Sequence, residues 1–354
     1  MKKMKNEDIE YVKSIFNNPL GICQLGNPQT QENMTIIPII IQDTKSIDFI
    51  TIKEAEEQEL IEIVESESVS QLKVNNKSDK QVLIPFGMTV HGGKQDRTIW
   101  EPILLPVDEG KNILRSSLMV KREYIIPAKC IEQSRWQYTK SKRFKASNMR
   151  IHPNVAFEAI SPVGQGAVWS EIQSYRNEMK YASHIAPTQS YLDMTHNTQK
   201  EAEKIVNNFR NVRNQCGIAV FINNEFIGME FYANSDAWIS MSEDIFKAFS
   251  IEALRFKDVE YNQRELIDHH QIILELLSNL DLRFSSRDGV GLGKVVEFNS
   301  NDLKWRGITL VYENSLAQFY LVSKRRGTIQ QNPLRYNAQF QTVINQRFNQ
   351  RYDF

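Results

Sequence analysis

Short apolar runs separated by polar turns occupy the first third of the chain. The β-branched run at 34–41 predicts a buried strand, and Thr51 followed by acidic residues predicts a capped short helix at 51–57. Three more short strands are predicted, at 60–64, 70–74 and 81–85. Asn, Ser and Asp residues between these strands favour turns, so the region is typical of a β-meander.

The middle of the chain mixes extended and helical patterns. The segment 98–105 predicts one strand, and two extended segments, 122–126 and 128–131, flank Pro127. Because proline cannot donate a hydrogen bond to a strand ladder, we expect an edge strand or a kinked strand there. The basic, polar segment 139–150 is typical of a solvated loop. Apolar residues at helical spacing predict helices at 169–182 and 197–212.

The last third alternates apolar and polar residues on both sides of Asn223-Asn224, which predicts a β-hairpin at 216–231. Amphipathic helices are predicted at 242–254 and 261–280, and closing strands at 294–298, 307–312 and 317–322. At the N-terminus, residues 1–16 predict a short helix and residues 17–33 a loop. These elements together indicate an α+β fold, with β-rich mixed sheets in two halves and helices between the halves.

Composition narrows the class of protein. Lys plus Arg and Asp plus Glu each total 43, so no net field attracts nucleic acid or an anionic membrane. The three cysteines are widely spaced and form no CxxC pair, which is typical of a reducing cytoplasm. No signal peptide is recognisable, and no apolar run approaches the roughly 20 residues that cross a bilayer. We therefore expect a cytoplasmic protein with no membrane and no nucleic-acid partner.

Familiar catalytic and metal-binding signatures are missing from the sequence. Gly289–Lys294 lacks the spacing of a phosphate-binding P-loop, and a glycine turn into a strand explains it more simply. The six histidines form no ligand-spaced helical pair, so no metal site is predicted and the cofactor is unknown. The basic segment at 140–150 with Phe144 is the one patch suited to nucleic acid, and a solvated loop is the preferred interpretation.

The first candidate segment is the glycine-rich run at 91–97. Its glycines, Gly93 among them, let the backbone approach a ligand, and Lys94, Gln95 and Arg97 supply donors suited to phosphate or carboxylate groups. His91 is a candidate acid or base. An ordinary solvated turn with a structural histidine is the alternative that residue types alone favour.

The second candidate segment places Cys130 and Glu132 on the same side of an extended chain. Glu132 would raise the pKa of the thiol, so Glu132 is preferred over Cys130 as a base or a ligand-orienting carboxylate. The alternative is that Cys130 belongs to the core and Glu132 pairs with Arg135 or Arg97.

The third candidate segment, 164–169, holds Gln165 in a glycine loop before a predicted helix. Free amides at the helix N-terminus are suited to an anion. The alternative for Trp169 is the more common one, in which the ring packs the helix onto a sheet.

The motifs HGGKQDR, CIEQSRW and GQGAVW resemble, in order and spacing, those of a bacterial family, the ARG and rhodanese-phosphatase-superfamily-associated protein domain. The matching residues are Gly93, Lys94, Gln95, Arg97, Cys130, Glu132, Arg135, Trp136, Gln165, Val168 and Trp169, with Ile131 in place of a family valine. The likeness spans about residues 20–325. It implies one integrated domain and one assembled polar site.

The resemblance sets the expected organisation of the chain. We expect an N-terminal helix or arm at 1–20, one large domain at 21–325 and a C-terminal arm at 326–354. Within the domain, the expected parts are a β-rich half at 34–136, a helical linker at 169–212 and a second β/α half at 216–325. A homodimer is expected only because symmetric oligomers are common.

The resemblance also implies a link to NAD and ADP-ribose metabolism. On that basis Lys94, Arg97 and Arg135 would neutralise a pyrophosphate. Trp136 or Trp169 would stack on a base, and Glu132 would orient a ribose or activate water. The expected function is an enzyme, a hydrolase or transferase, or a binding protein for a phosphorylated nucleotide-like metabolite. The alternative is a non-catalytic sensor or interaction module in bacterial stress or phage defence.

Overall fold

The structure is a computed structural model that describes residues 7–41, 47–66, 68–107, 123–135, 137–138, 141–160, 164–179, 189–259 and 267–324. These residues all belong to one compact unit, residues 1–324. The predicted C-terminal arm lies outside the described residues. The helices are α1 Glu7–Asn17, α2 Ile52–Glu57, α3 Pro153–Ile160, α4 Gln165–Glu178, α5 Tyr191–Val206, α6 Ser235–Arg255 and α7 His269–Asn279, with a 3₁₀ turn at Pro19–Gly21.

Most of the remaining described residues are in strands. In the N-terminal part these are β1 Cys23–Leu25, β2 Gln29–Gln31, β3 Met34–Ile41, β4 Phe49–Thr51, β5 Ile61–Glu65, β6 Gln71–Asn76, β7 Gln81–Ile84, β8 Met88–Gly92, β9 Arg97–Ile99 and β10 Ile103–Leu105. The later strands are β11 Glu123–Cys130, β12 Arg143–Arg150, β13 Gly217–Ile222, β14 Glu225–Tyr232, β15 Leu282–Asp288, β16 Lys294–Ser300, β17 Trp305–Tyr312 and β18 Ser315–Ser323. The fold is therefore mixed α+β and rich in β-structure, as the sequence predicts.

The largest sheet is antiparallel and has the strand order β1-β3-β13-β14-β18-β17-β16-β15, with β2 also paired to β3. Residues of β3 and β13 alternate between two hydrophobic clusters, with Ile36 in one and Ile37 in the other. Because β3 carries apolar side chains on both faces, it needs cover on both sides and takes a central position in the sheet. Strand β3 lies in the first predicted half, yet it pairs with β13 of the second.

The predicted β-meander is wrong in its third strand. Strands β5 and β6 pair as neighbours, but β7 leaves them and joins a small sheet of order β10-β7-β4. The single strand predicted at 98–105 is also wrong, because β9 and β10 belong to different sheets. Pro102 lies between them and has no N–H to offer a continuous ladder.

Six strands form a closed barrel in the order β11-β6-β5-β12-β8-β9. At one end of this barrel β5, β8 and β11 finish while β6, β9 and β12 begin, as the antiparallel registers require. We call this end of the barrel the rim. The rim brings the predicted segments at 91–97 and 130–135 to one place.

Two further predictions around the barrel are corrected. Strand β11 runs unbroken through Pro127, which pairs with Gln71 as the last residue facing β6, and β9 takes over as partner at Ala128. The missing N–H therefore falls where the strand changes partners. Residues 143–150 form β12 instead of a loop, with Phe144 buried between exposed Arg143 and Lys145.

Several helix boundaries also differ from prediction. Helix α4 begins at Gln165, and α5 begins at Tyr191 because the Ser190 side chain accepts a hydrogen bond from Asp193 N. The predicted loop at 17–33 contains β1 and β2, while α3 and β15 had no sequence signal that was recognised. The hairpin at 217–232 is confirmed, and both turn residues have positive φ, 50° at Asn223 and 65° at Asn224. Within the described residues, none of the helices has the length and apolar character needed to span a bilayer.

Candidate functional site

The rim carries a group of polar side chains that we call the rim cluster. Its members are Glu65, His91, Lys94, Gln95, Asp96, Arg97, Cys130, Glu132, Arg135 and Ser190. The connection between β8 and β9 meets the end of β11, where Cys130 pairs with Arg97 and Ile131 N donates to Asp96 O at 3.0 Å. The fold therefore assembles two of the three predicted segments by backbone pairing, before any side chain contributes.

Two glycines make the sharp turn at the rim possible. Gly92 has φ +140° and Gly93 has φ +49°, conformations that side chains disfavour. A Cβ on Gly92 would lie 2.3 Å from Arg143 O, and a Cβ on Gly93 would lie 2.4 Å from Glu65 Oε2. Gly93, predicted as a ligand-binding residue, is thus needed for backbone geometry and close packing.

Glu132 is fully engaged by its neighbours. Arg135 Nε lies 2.8 Å from each of its carboxylate oxygens, and Asp96 N donates to Oε2 at 3.0 Å. The residue is 2% exposed. Its carboxylate has no free face for a substrate, so Glu132 positions Arg135 and the backbone of Asp96. This arrangement is the pairing that the sequence analysis left open as the alternative.

Arg135 is anchored by the same contacts. Its Nη1 donates to Gly93 O at 2.9 Å, and its Nη2 lies 3.0 Å from Asp96 Oδ1. Burial lowers the pKa of Arg135, but hydrogen bonding and charge from Glu132, with the charge of Asp96, outweigh burial and raise it. The guanidinium is therefore a fixed positive charge, and 16% of the side chain reaches solvent.

Gln95 and Arg97 are buried below the rim. Arg97 is 1% exposed, with Nη2 at 3.3 Å from Glu65 Oε1 and Nη1 donating to Gln95 O at 2.8 Å. Gln95 Nε2 donates to Glu132 O at 2.9 Å. Both residues tie the turn to the strands around it. Arg97 is thus placed where it cannot neutralise a ligand phosphate at the surface.

The side-chain amide of Gln165 forms two hydrogen bonds with the backbone of Cys130. Gln165 Oε1 accepts from Cys130 N at 2.7 Å, and Gln165 Nε2 donates to Cys130 O at 2.6 Å, as a neighbouring strand would. Burial, the largest cause, raises the pKa of the Cys130 thiol to about 11. The thiolate that a nucleophile requires is therefore scarce at neutral pH. The third predicted segment reaches the cluster through this contact with backbone.

His91 and Asp96 form a hydrogen-bonded dyad at the surface of the rim cluster. His91 Nδ1 lies 2.8 Å from Asp96 Oδ1, and the side chains are 60% and 3% exposed. Asp96 is itself held by Ser190 Oγ, which donates to Oδ2 at 3.1 Å. A carboxylate on Nδ1 places the proton there and leaves the Nε2 lone pair facing solvent. No described residue hydrogen-bonds to Nε2.

The pKa of His91 is raised. The hydrogen bond to Asp96 is the largest cause; burial and the charge of Arg135 oppose it, while the charges of Asp96 and Glu132 add to it. A histidine with a raised pKa and one ring nitrogen without a described partner has the groups that a general acid or base requires.

Helix α5 contributes Ser190 and Asp193, two residues that the sequence analysis missed. Ser190 forms an isolated bridge with Glu132, and Tyr191 N donates to Ile131 O at 2.9 Å. Asp193, in the first turn, has a raised pKa because of burial and then because of the charge of Asp96. The Ser-x-x-Asp pattern of a helix N-terminus was the available signal.

Two exposed lysines lie in the strands and turn around the dyad. Lys145 is the direct cross-strand partner of His91, so the two side chains lie on the same face, with Cβ atoms roughly 5 Å apart. Lys94 is exposed, and its Nζ lies 5.2 Å from the ring centroid of Tyr138. The surface beside the dyad is therefore mixed in charge, because Lys145 lies next to His91 and the exposed carboxylate of Asp193 also interacts with His91.

The family model for the ARG and Rhodanese-Phosphatase-superfamily-associated Protein domain matches residues 22–322. The chain belongs to this family. No curated protein and no solved structure matches it. The family domain spans the large sheet, the small sheet and the barrel, so the rim cluster lies within it.

Trp169 is a predicted site residue that is not a member of the rim cluster. Trp169 lies one turn beyond Gln165 on α4, half-buried, and its indole Nε1 has no hydrogen-bond partner among the described residues. Trp136 lies outside the described residues. In the described part of the family domain, no three His, Cys, Asp or Glu side chains are arranged to hold a metal ion.

Proposed function

We propose that this chain is a cytoplasmic enzyme, a hydrolase or transferase, that acts on a phosphorylated nucleotide-like metabolite. ADP-ribose or an NAD derivative is the leading ligand class. The observation that supports the proposal is the His91–Asp96 dyad, whose Nε2 has no described hydrogen-bond partner and lies on the strand face that His91 shares with Lys145. A homodimer belongs to the same proposal and rests on the frequency of symmetric assemblies.

In this proposal His91 acts as the general base. Its Nε2 takes a proton from water or from an acceptor hydroxyl as the oxygen attacks the substrate, and Asp96 stabilises the imidazolium that results. The same proton then passes from Nε2 to the departing oxygen. Ser190 and Arg135 keep Asp96 in place through contacts of 3.1 and 3.0 Å, so the imidazole keeps its orientation.

The cationic side chains bind the phosphate. Lys145 lies beside His91 on the same strand face, Lys94 is exposed in the neighbouring turn, and Arg135 adds a fixed charge next to Asp96. Lysine binds phosphate as a point charge and tolerates more than one geometry. The exposed ring of Tyr138 beside Lys94 offers a surface on which a base stacks.

A thermal-shift screen tests the proposal. The purified protein is heated with NAD, ADP-ribose, nucleotides and sugar phosphates, because a ligand of the native state raises the melting temperature. Lys145→Ala should remove the shift, and Lys80→Ala, at an exposed lysine after β6, should keep it. Product analysis of the ligand found then compares the wild type with His91→Asn, which should bind and fail to turn over.

A non-catalytic sensor in bacterial stress or phage defence is the second candidate. The observation that favours it is the complete internal pairing of Glu132, Gln95 and Arg135, which resembles a rigid scaffold. A sensor would give a thermal shift and no product with the wild-type protein. If no compound raises the melting temperature, a protein-interaction module becomes the preferred function.

A further inference from the structure

A groove of about 570 Å³ lies beside the barrel and shares no residue with the rim cluster. Helix α2, strand β12 and helix α6 form its walls. Its lining residues are Lys53, Glu54, Glu56, Glu57, Ala146, Asn148, Asp236, Ile239 and Ser240. The volume falls in the range of roughly 300–1,000 Å³ that is typical of small-molecule sites.

The groove is held open by contacts between α2 and α6. Lys53 Nζ lies 2.5 Å from buried Asp244 Oδ2, and Thr51 Oγ1 lies 2.7 Å from Ser240 Oγ. The ammonium of Lys53 is therefore already neutralised. Since both contacts join side chains that are at least partly buried, the two helices keep a fixed separation without a ligand.

A break in strand pairing makes the third wall. Strand β12 shifts register against β8 between Ala146 and Arg150, and Ala146 N donates to Glu56 at 2.9 Å instead of to a strand. This leaves Asn148 exposed toward the groove. Bulges of this kind often lie beside binding sites, where they redirect side chains.

The described residues that line the groove offer many hydrogen-bond acceptors, and their one cation, Lys53, is paired with Asp244. No described residue pairs with the carboxylates of Glu57 or Asp236, both of which are exposed. Ile239 adds an apolar surface that is 63% exposed. Carboxylates accept hydrogen bonds from sugar hydroxyls, as acidic residues do for ribose in nucleotide-binding folds, and they repel a phosphate.

Lys145 connects the groove with the dyad. It lies opposite His91 on β8, and its charge lowers the pKa of Glu56, although burial, the larger cause, leaves that pKa raised overall. Asn148 follows three residues later, within about 10 Å along a strand. Glu56 lines the groove, so Lys145 lies close enough to act electrostatically on the groove wall as well as beside His91.

We infer that the groove is the subsite for the uncharged, hydroxyl-rich end of the ligand, a sugar or nucleoside group, while its phosphate lies at Lys145 and His91. The inference rests on the proposed function and deepens it. Phosphate and sugar then occupy separate places on either side of β12, so the ligand has one orientation. A ligand with a second charged phosphate at its far end is disfavoured by Glu57 and Asp236.

Calorimetric titrations with three probes test this subsite. The probes are inorganic pyrophosphate, which has no sugar, ribose 5-phosphate and ADP-ribose. The double variant Glu57→Gln with Asp236→Asn should bind ADP-ribose about tenfold more weakly, because it loses hydrogen bonds to charged groups. Its affinity for pyrophosphate should stay unchanged. Glu201→Gln, an exposed carboxylate on α5, serves as the matched control and should change neither affinity.

The outcomes separate the subsite from the proposed function. If the wild type binds ADP-ribose and the double variant binds it equally well, the subsite is wrong while the proposed function stands. If the wild type binds none of the probes, the proposed function and the subsite both fail. Spermidine is a fourth probe. If the double variant loses spermidine binding but binds ADP-ribose as the wild type does, the groove is a site for an organic cation and the sugar assignment is wrong.

Discussion

His91 is the residue of the rim cluster whose charge responds to pH. Its raised pKa has the hydrogen bond to Asp96 as its largest cause. We expect an NMR titration to give His91 a pKa above the ordinary 6.5, and Asp96→Asn to lower it, because the variant removes the negative charge. An unchanged value in Asp96→Asn would show that the dyad does not exist in solution.

The raised pKa of His91 makes the stability of the folded protein depend on pH. A histidine whose pKa is raised on folding stabilises the folded state fully below its unfolded pKa, and that contribution is lost as pH rises through the folded pKa. Wild type and His91→Gln should therefore differ most in urea midpoint at acidic pH and converge at alkaline pH. Because the His91 side chain is 60% exposed, solvent screens the interaction and the difference should be small.

Cys130 is expected to be unreactive in the folded protein. All three cysteines are buried and their pKa values are raised, mainly by burial, to about 11 at Cys130. Iodoacetamide should label the native protein far more slowly than the urea-unfolded protein, because only the thiolate reacts. Mass spectrometry reads the labelled site. Rapid labelling of native Cys130 would contradict the structure and restore it as a nucleophile.

Residue types alone could not rank the members of the rim cluster. The family resemblance implied one assembled site, and in the structure Gln95, Glu132 and Arg135 are in contact, whereas residue types favoured Glu132 as the working group. The catalytic role of Glu132 stays a prediction, and its pairing with Arg135 depends on backbone geometry that the sequence pattern does not contain. The pairing of His91 with Asp96 was missed because it depends on the turn at Gly92 and Gly93, and the support from Ser190 was missed because Ser190 lies 94 positions from Asp96.

At the scale of elements, Gln165 joins the start of α4 to the end of β11. Its amide pairs with both Cys130 N and Cys130 O. Gln165→Ala should lower the free energy of unfolding by about 1–3 kcal/mol, because it leaves buried backbone groups without partners. Urea denaturation measures the loss. Gln173→Ala on the same helix, whose side chain bonds only to exposed Asn177, should change stability little.

Local chemistry explains which elements could be predicted. The Asn223-Asn224 turn was placed correctly because asparagine tolerates the positive φ that both positions require. Strand β12 was missed because only Phe144 marks its buried face before the bulge, and the rest of the segment is polar. Pro127 suggested a break that the fold avoids, since the change of partner from β6 to β9 needs no N–H there.

Over the whole molecule, a buried polar network connects the barrel with the large sheet. Arg150 of β12 lies 2.8 Å from Glu230 of β14, and Gln318 of β18 donates to the same carboxylate at 2.7 Å. These side-chain contacts, like the pairing of β3 with β13, join residues that are far apart in the sequence. Periodicity describes only near neighbours, so the closed barrel and the shared sheet could not be predicted from it.

Glu230→Leu should be strongly destabilising, by about 3–5 kcal/mol, because it leaves the charge of Arg150 buried without the carboxylate that neutralises it. The double variant Arg150→Met with Glu230→Leu should recover most of that loss, since neither charge then requires desolvation. Urea denaturation followed by circular dichroism and by tryptophan fluorescence measures both variants. Glu10→Gln, which removes an exposed pair with Lys13, is the control and should change stability by less than about 1 kcal/mol.

Circular dichroism and tryptophan fluorescence also test whether the barrel and the large sheet unfold together. Because the Arg150–Glu230 pair lies between them and both residues are 2% exposed in their side chains, the wild type should lose both signals in one transition. The single variant should separate the signals if the network alone couples the two parts. If the signals still coincide, coupling comes from apolar packing, which continues across both parts in one hydrophobic cluster containing Val90 of β8 and Ile308 of β17.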